Sequence, residues 1–540
     1  MPQPLSNPEQ TKPTQPKIFV RESTGLVKKV SFLDSISLNM SNMSIGPLFA
    51  TLAGSTVATM VIVPTVTGLN LVAASIIAFI LGIPQVIVYT MMSRRFPRTG
   101  GDYVWLSRTF GGFWGSTLSF WGYTMETTAY LALVIILLDY ALGSVGLSLF
   151  GTGANFDSYF FNFFSVPLTQ FEWGALFFTV IVVINILKPK AGFTMVSVLT
   201  VFGIFSLVVA MAVLAAAGPS GIASYVNSLG VNGAVATATP SGLSLVINGT
   251  NAYTPSGAPF DLNFTNTIFI MPVIFAFVYP WLNAGPAVAS EMKGKNALKW
   301  NVPASVLTAF VILTAALGVL YGVAGMPFIN ALFANPGFAA IGVNFFTLAM
   351  GVSGSPILAW IIGLGWIAMQ YGTIAYAVIV ISRYLLAQSF DRFLPARVSN
   401  VSSRFGSPII ANAITYVVVM ILLGLATYYY ASYSALFGAI FASMVYFVFV
   451  GLCAATHAIR KEKGGTKLLL VVAGILDAVV FSFVSYQYLA NLSFTGINWL
   501  TGTFLVATLI AGALIYLASK WYNAKRGIDI SLAYKELPPE

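Results

Sequence analysis

The sequence predicts an all-α polytopic membrane protein with twelve transmembrane helices. Of its 540 residues, 57% are hydrophobic and only 8% are Asp, Glu, Lys or Arg, whereas about 25% of the residues of an average soluble protein are charged. Four long stretches carry no charged side chain, and the positive charges between them follow a one-sided pattern. These observations exclude a soluble enzyme and favour a bundle of membrane-spanning helices.

The uncharged stretches cover residues 35–93, 191–260, 300–382 and 405–459. Each is long enough for two membrane crossings and a turn, at about 20 residues a crossing. Clusters of Gly, Pro and Asn divide these stretches into single spans, and shorter apolar runs supply the remaining helices. The predicted helices, numbered 1 to 12 in chain order, span residues 34–55, 69–92, 113–142, 173–187, 192–217, 266–290, 303–325, 356–387, 408–428, 434–457, 468–490 and 497–521.

All 26 Lys and Arg residues fall on one side of this arrangement. They lie in the two terminal segments and in the connections that follow helices 2, 4, 6, 8 and 10, and the remaining connections carry none. Positive charge is retained in the cytoplasm during membrane insertion, so both termini are predicted to be cytoplasmic and the protein to be multi-pass in the cell membrane. The net charge of +10 then reflects topology, and no nucleic-acid partner is expected.

The chain divides into six predicted regions. Residues 1–17 are polar and Pro-rich and lack the apolar core of a signal peptide. Two Asn-x-Thr sequons, at Asn248 and Asn263, are permissive for glycosylation, and the single cysteine, Cys453, excludes a disulfide within the chain. The regions are a cytoplasmic tail (1–32), helices 1 to 5 (33–217), an extracellular loop (218–265), helices 6 to 10 (266–457), helices 11 and 12 (458–521) and a second cytoplasmic tail (522–540).

Helices 1 and 6 contain residues that interrupt a helix within the span. Helix 1 has a polar run over residues 39–44 followed by Gly46 and Pro47, and helix 6 has a Pro- and Gly-containing run over residues 279–286. A single Gly or Pro often only kinks a membrane helix, but a full break needs protein or water to satisfy the freed backbone groups. Two breaks five helices apart indicate a transporter built from inverted repeats, with substrate near the bilayer midplane.

Three segments resemble the amino acid-polyamine-organocation (APC) superfamily of transporters. Residues 96–103, Phe-Pro-Arg-Thr-Gly-Gly-Asp-Tyr, look like that family's Phe-Pro-x-x-Gly-Gly-x-Tyr signature after helix 2. Residues 290–293 with Val302-Pro303 are similar to its elements after helix 6, and residues 382–408 to its connection between helices 8 and 9. The resemblance implies a five-plus-five inverted repeat over helices 1 to 10, with broken helices 1 and 6, and an amino acid permease function.

The resemblance also implies a position for a coupling ion. In that fold a sodium site uses carbonyls of helix 1 and hydroxyls near the middle of helix 8, where Thr373 is available, and some proton-driven members place a Lys of helix 5 against it. Residues 191–218 contain no Lys. Two departures concern the substrate, because Trp281 stands about where a Gly is usual and Asn283 about where an acidic residue is common. Sodium symport, proton symport and exchange stay open.

The broken helices predict a substrate site made largely of backbone groups. The second half of helix 1 begins with unpaired N–H groups and the positive end of a dipole, which favour a carboxylate, whereas carbonyls at the break of helix 6 favour an ammonium group. An amino acid carries both groups on one carbon, and side chains such as Trp366 or Gln370 would set the side-chain preference. The predicted substrate-binding residues are Ser41, Asn42, Met43, Ser44, Ile45, Gly46, Phe277, Val278, Tyr279, Pro280, Trp281 and Gln370.

Glu126 lies deep in the predicted transport core, about 20 Å along helix 3. Because an ionised carboxylate is costly there, it should face the bundle interior. It could carry a coupling proton, pair with a cationic substrate group or hold a structural hydrogen-bond network with neighbouring threonines. Asp477 in helix 11 is also deep, whereas Asp34, Asp139 and His457 are expected near helix ends, where capping or solvation is the usual role.

These features predict a secondary active transporter, a permease that moves amino acids across the plasma membrane by alternating access. The alternatives are an exchanger of polyamines or other amines and a non-transporting nutrient sensor. One His, one Cys and no clustered acids within the spans argue against an enzyme, and no filter-like loop indicates a channel. We expect no cofactor apart from coupling Na⁺ or H⁺ and no metal centre, with a small-molecule substrate and the lipid bilayer as partners. The oligomeric state is left open.

Overall fold

The computed structural model describes residues 25–52, 69–150, 166–231, 233–254, 262–429 and 432–537. Within these residues, ten helices are long and apolar enough to cross a membrane, which bears out the prediction of a helical polytopic membrane protein. They correspond to predicted helices 2 to 5 and 7 to 12, and the total of twelve spans stays a prediction. Their bounds are, in order, Leu71–Arg95, Gly112–Phe150, Pro167–Leu187, Pro189–Ser228, Gly294–Ala324, Pro356–Phe390, Ile409–Tyr428, Ala435–Lys461, Gly464–Ala490 and Trp499–Lys525.

Predicted helices 1 and 6 each consist of shorter pieces. Helix 1 comprises Phe32–Asn42 and Ile45–Leu52, separated by a turn at residues 43–44. Helix 6 comprises Phe264–Phe269, Met271–Phe277 and Ala284–Ala287, and residues 278–283 are not helical. Both interruptions coincide with the Pro-, Gly- and Asn-containing runs of the sequence.

Helices 3, 8 and 10 form the centre of the bundle. In the most apolar 18-residue segment of each of these helices, 72%, 78% and 72% of the segment is buried. In the other seven long helices the corresponding share is only 22% to 44%. Helix 12 is the most peripheral and exposes large apolar side chains such as Trp499 and Leu514. An outer surface of large apolar side chains fits a lipid environment and would be unusual in water.

The segments that carry the positive charges meet at one end of the bundle, which we call the basic end. Contacts there join the amino-terminal segment, the connections after helices 2, 6, 8 and 10, and the carboxy-terminal segment. They include Val30 with Met292, Thr99 with Val288, Arg95 with Glu462, Arg108 with Asp391, and Arg108 with the carbonyls of Ala533 and Glu536. This agrees with the one-sided distribution of charge, and the side of the membrane that this end faces stays a prediction.

The connection between helices 5 and 6 has more structure than its composition suggested. Helix 5 continues past a kink at Gly218 to Ser228, and three antiparallel strands follow, β1 (Ala234–Thr239), β2 (Gly242–Ile247) and β3 (Thr250–Tyr253). Asn248 and Gly249 form the two-residue turn between β2 and β3, with φ angles of 51° and 76°. An Asn-Gly pair with positive φ at both positions is a strong hairpin signal, so this sheet was predictable from the sequence.

Helix 3 is longer than predicted and changes the interpretation of Asp139. The helix runs from Gly112 to Phe150 and contains a π-helical turn, Phe120–Met125. The expected position of Asp139 near a helix end is therefore wrong. Its side chain is buried near Gly174 of helix 4, and among the described residues neither carboxylate oxygen has a hydrogen-bond partner. Asp34, in contrast, does form a capping box with Ser31 at the start of helix 1.

Candidate functional site

The break in helix 1 lies against helix 8. The first half of helix 1 ends where the Met43 N–H donates to the Asn39 carbonyl, and the second half begins at Ile45. A Cβ atom on Gly46 would lie 2.7 Å from Cβ of Met369, so only Gly fits this approach without a shift. The Trp366 indole donates to the Gly46 carbonyl over 3.3 Å. The start of the second half-helix is thus fixed against the centre of the bundle.

Two asparagines of helix 1 satisfy the break of helix 6. Asn39 accepts a hydrogen bond from the Gly285 N–H over 2.7 Å, at the start of the last piece of helix 6. The Asn42 side-chain nitrogen donates to the Trp281 carbonyl and to Asn283 Oδ1, both at 2.9 Å. All of these groups are buried, so the polar run of helix 1 supplies the partners that lipid cannot provide.

Hydroxyl groups gather on the other side of helix 1, between helices 5 and 8. Ser41 Oγ lies 2.8 Å from Thr200 Oγ1, and the Thr373 hydroxyl donates to the Ser41 carbonyl over 3.2 Å. Thr200 also reaches the Ser37 carbonyl at 3.5 Å, and Thr373 donates to the Met369 carbonyl. This hydroxyl cluster, Ser41, Thr200 and Thr373 with the carbonyls of Ser37, Ser41 and Met369, is uncharged and rich in oxygen. Hard cations take oxygen ligands of this kind, so the residues fit the sodium position that the resemblance implies.

Glu126 follows the π-helical turn of helix 3 and is fully buried. Its Oε2 atom accepts a hydrogen bond from the Thr127 hydroxyl over 3.1 Å, and the Ser443 hydroxyl of helix 10 also lies within hydrogen-bonding reach of the carboxylate. Among the described ion pairs, none involves Glu126. Three buried tyrosines lie within electrostatic reach of it: Tyr123, Tyr130 and Tyr376. π-helical turns are frequent at functional sites, and this set of buried polar groups could serve a ligand or a proton.

Aromatic rings line the break of helix 6. Trp281 is held by a hydrogen bond from its indole nitrogen to the Ala276 carbonyl, at 2.8 Å. Its ring stacks on Tyr130, with centroids 5.9 Å apart and planes at 12°, and meets Phe447 edge-on. Phe277 packs beside Tyr130 and Phe437. Trp281 therefore forms part of a buried aromatic wall.

The predicted substrate-binding residues separate into groups when they are placed in the structure. Asn42 and Trp281 meet directly, whereas the Ser41 side chain belongs to the hydroxyl cluster. The Tyr279 side chain points to helices 2 and 7, where its hydroxyl lies 2.7 Å from Ser75 Oγ. Gln370 is fully buried in helix 8, and neither end of its amide has a hydrogen-bond partner within the described part of the chain. The remaining predicted residues are buried at the two breaks: Met43, Ser44, Ile45, Gly46, Phe277, Val278 and Pro280.

The structure adds residues that the sequence did not single out as site residues. Asn39 and Thr200 are such cases, because each makes a bond between helices more than 150 positions apart in the chain. Asn39 could have been found from the sequence because it lies in the polar run of helix 1. No sequence feature distinguishes Thr200 from the other residues of helix 5. Asp477 is buried in helix 11 beside Gly451 of helix 10, outside both clusters. Among the described residues, no group of three or more His, Cys, Asp or Glu side chains could hold a metal ion.

Comparison with known protein families gives one finding that covers most of the chain. The family model described as amino acid permease matches residues 30–515, which include the two breaks, the hydroxyl cluster and Glu126. A search among curated proteins returns no match. The matched family points to a transporter and to an amino acid as the small-molecule substrate.

Proposed function

The chain belongs to the amino acid permease family, and we propose that it is a secondary active transporter that moves an amino acid by alternating access through the breaks of helices 1 and 6. One observation carries the proposal. Two interrupted helices meet at a buried position, and Asn42 bonds to the freed carbonyl of Trp281 over 2.9 Å. The second half of helix 1 begins at this position, and its first N–H groups suit a carboxylate. Carbonyls at the end of Met271–Phe277 suit the ammonium group.

We further propose that the substrate is a neutral amino acid with an apolar or aromatic side chain. The walls beside the breaks are aromatic, with Phe277, Trp281 and Tyr130 in mutual contact. Asn283 stands at the position where an acid would favour a second amino group, and its side chain is already bonded to Asn42. A polyamine has no carboxylate to bind the second half of helix 1. The protein, in turn, has Asn283 and not an acid at the position of helix 6 that would pair with a second amino group.

For coupling we propose that Glu126 carries a proton. It is a fully buried acid close to the breaks, its described partners are neutral hydroxyls, and none of the described ion pairs includes it. A buried carboxylate without a cation is stable mainly in its protonated form, so ionisation should accompany a change of conformation or substrate occupancy. The hydroxyl cluster around Ser41 is the rival site, since it would take Na⁺.

The test uses the purified full-length protein. Neutral amino acids should raise its thermal stability, and proteoliposomes should take up the same amino acids under an inward proton gradient. Glu126→Gln should abolish gradient-driven uptake but leave substrate binding. Glu172→Gln, at an exposed position of helix 4, is the matched control and should transport as the wild type does.

Two outcomes would contradict the proposal in different ways. If no amino acid binds or is taken up, the transport function is wrong. If a sodium gradient drives uptake, and Thr373→Ala abolishes that uptake while Glu126→Gln does not, transport stands but the coupling ion is Na⁺.

A further inference from the structure

Asp102 lies at the basic end, outside the ten long helices, and directly follows Gly100 and Gly101. Both glycines have positive φ angles, 91° and 48°. A Cβ atom on Gly100 would lie 2.4 Å from Cβ of Ala387 in helix 8, and one on Gly101 would lie 3.0 Å from the backbone nitrogen of Ala287 in helix 6. The Gly-Gly pair is therefore wedged between helices 6 and 8, and this contact places Asp102 inside the bundle.

The Asp102 carboxylate accepts hydrogen bonds from tyrosines of two different helices. The Tyr89 hydroxyl of helix 2 donates to Oδ2 over 2.5 Å, and the Tyr384 hydroxyl of helix 8 donates to Oδ1. The side chain is completely buried, and none of the described ion pairs includes it. Burial raises the pKa of Asp102 to about 6, although the hydrogen bonds from Tyr384 and Tyr89 oppose this effect.

A chain of hydrogen bonds connects Asp102 to the breaks of helices 1 and 6. Asn42 donates to Asn283 over 2.9 Å. Asn283 donates to the Tyr384 hydroxyl over 3.3 Å, and Tyr384 donates to Asp102. Every donor points towards the carboxylate, and bonds aligned in this way polarise and strengthen one another in a buried site.

We propose that Asp102 is a proton-binding positioning residue that couples the conformation of the substrate site to closure of the basic end. When ionised, the carboxylate can accept from both tyrosines, which keeps Tyr384 in place and, through Asn283, holds Asn42 at the break. When protonated, it becomes a hydrogen-bond donor itself and its bonds lose their charge. The bonds that hold helices 2 and 8 to Asp102, next to the glycine wedge, then weaken together, and the basic end opens more easily. This inference rests on the proposed transport function, because the break it controls is the proposed substrate site.

The groups that face Asp102 from the surrounding elements are neutral at physiological pH. They are Tyr89 of helix 2, Tyr123 of helix 3, Tyr384 of helix 8, and Tyr446 and Cys453 of helix 10. The neighbouring Arg383 is occupied by Glu291, to which it donates two hydrogen bonds of 2.8 and 3.1 Å. Asp477 of helix 11 lies beyond Tyr89 and acts on that tyrosine. Glu126 of helix 3 is a further acid near this network, and it acts on Tyr123. Asp102 differs from it because the chain of hydrogen bonds from Asn42 ends at its carboxylate.

The decisive experiment measures counterflow of a labelled neutral amino acid in proteoliposomes at equal pH on both sides, from about pH 5 to about pH 8. Equal pH removes the proton gradient, so the rate reports conformational exchange and not coupling. We expect the wild-type rate to rise about tenfold as pH falls through 6, since a charge-assisted bond becomes a neutral one. Asp102→Asn should lose the rise around pH 6, and any pH dependence that it retains is assigned to Glu126, the proposed proton carrier.

Two conservative variants separate this role from a merely structural one. Tyr384→Phe and Tyr89→Phe each remove one hydroxyl from Asp102, but only Tyr384 continues the chain to Asn283. Tyr384→Phe should therefore lose the pH dependence, and Tyr89→Phe should keep it. If Asp102→Asn does not fold, the comparison of Tyr384→Phe with Tyr89→Phe still tests the role of Asp102.

The outcomes distinguish this inference from the proposed function. A wild-type protein without counterflow contradicts the transport function itself. A wild type that transports with no pH dependence in this range overturns the role of Asp102, and so does an Asp102→Asn or Tyr384→Phe variant whose pH profile matches the wild type.

Discussion

The side-chain nitrogen of Asn42 in helix 1 lies 2.9 Å from the side-chain oxygen of Asn283 in helix 6. The same nitrogen lies 2.9 Å from the Trp281 carbonyl, so one amide holds both interrupted helices together. Each break exposes backbone groups that lipid cannot satisfy. Here Asn39 and Asn42 of helix 1 form hydrogen bonds with backbone groups at the break of helix 6. The two breaks are therefore structurally dependent on one another.

Replacing Asn42 by Ala should lower stability and substrate binding together. The change leaves the Trp281 carbonyl and Asn283 Oδ1 buried without this donor, at a cost of about 1 to 3 kcal/mol for each group. Thermal unfolding in detergent, with and without a neutral amino acid, measures both effects. Asn412→Ala is the control, because Asn412 is equally buried but donates only within its own helix, to the Pro408 carbonyl. Equal loss of substrate binding in both variants would contradict the role of the asparagine bridge.

Gly46→Ala should impair transport more than it impairs folding. The added methyl group would lie 2.7 Å from Cβ of Met369, so the second half of helix 1 must move away from helix 8. The displaced N–H groups would bind the substrate carboxylate less well, which should raise the apparent Kd about tenfold or more. Gly318→Ala in helix 7 is the control, since no atom lies within 4 Å of its added Cβ. Unchanged affinity in Gly46→Ala would show that the substrate does not bind this half-helix.

The class of the fold could be predicted from the sequence because lipid imposes strong and simple constraints. Long apolar segments and one-sided Lys and Arg residues give the helices and their order, and the Gly-Pro and Pro-containing runs mark both interruptions. The length of helix 3 was underestimated because Gly143 and Ser144 resemble a helix end, although the helix continues through them to Phe150. This error misplaced Asp139.

The pairing of side chains across the site could not be predicted in the same way. Tyr279 and Trp281 are two positions apart at the same break, yet the first bonds to Ser75 of helix 2 and the second stacks on Tyr130 of helix 3. Their directions depend on the irregular backbone over residues 278–283, which has no fixed periodicity. Thr200 meets Ser41 only because helices 1 and 5 pack together. Such contacts depend on the rotation of each helix about its axis, and single residues in a uniformly apolar helix do not specify it.

The buried ion pair between Arg383 and Glu291 should be important for stability. The guanidinium of helix 8 binds both oxygen atoms of the carboxylate after helix 6, and the side chains are only 4% and 1% exposed. Arg383→Ala leaves Glu291 buried without a partner, which typically costs about 3 to 5 kcal/mol. Arg95→Ala breaks a partly exposed pair with Glu462 and should cost less than about 1 kcal/mol. Chemical denaturation of both variants gives the comparison, and similar losses would mean that the Arg383 pair is not effectively buried.

The pKa of Asp102 also predicts how stability depends on pH. Burial raises this pKa from 3.8 in the unfolded chain to about 6 in the folded protein, so the folded state binds the proton more tightly. The resulting stabilisation is fully present below about pH 4 and is lost as pH rises through about 6. The Asp102→Asn variant has no carboxyl group at this position and therefore lacks this pH-dependent contribution to stability. The unfolding free energy of the wild type relative to this variant should therefore increase by about 1.4 kcal/mol from about pH 7 to about pH 5. Parallel denaturation series of both proteins at both pH values measure this difference. A constant difference between the wild type and Asp102→Asn would show that Asp102 does not titrate in this range, and the proposed pH dependence of transport would then need another group.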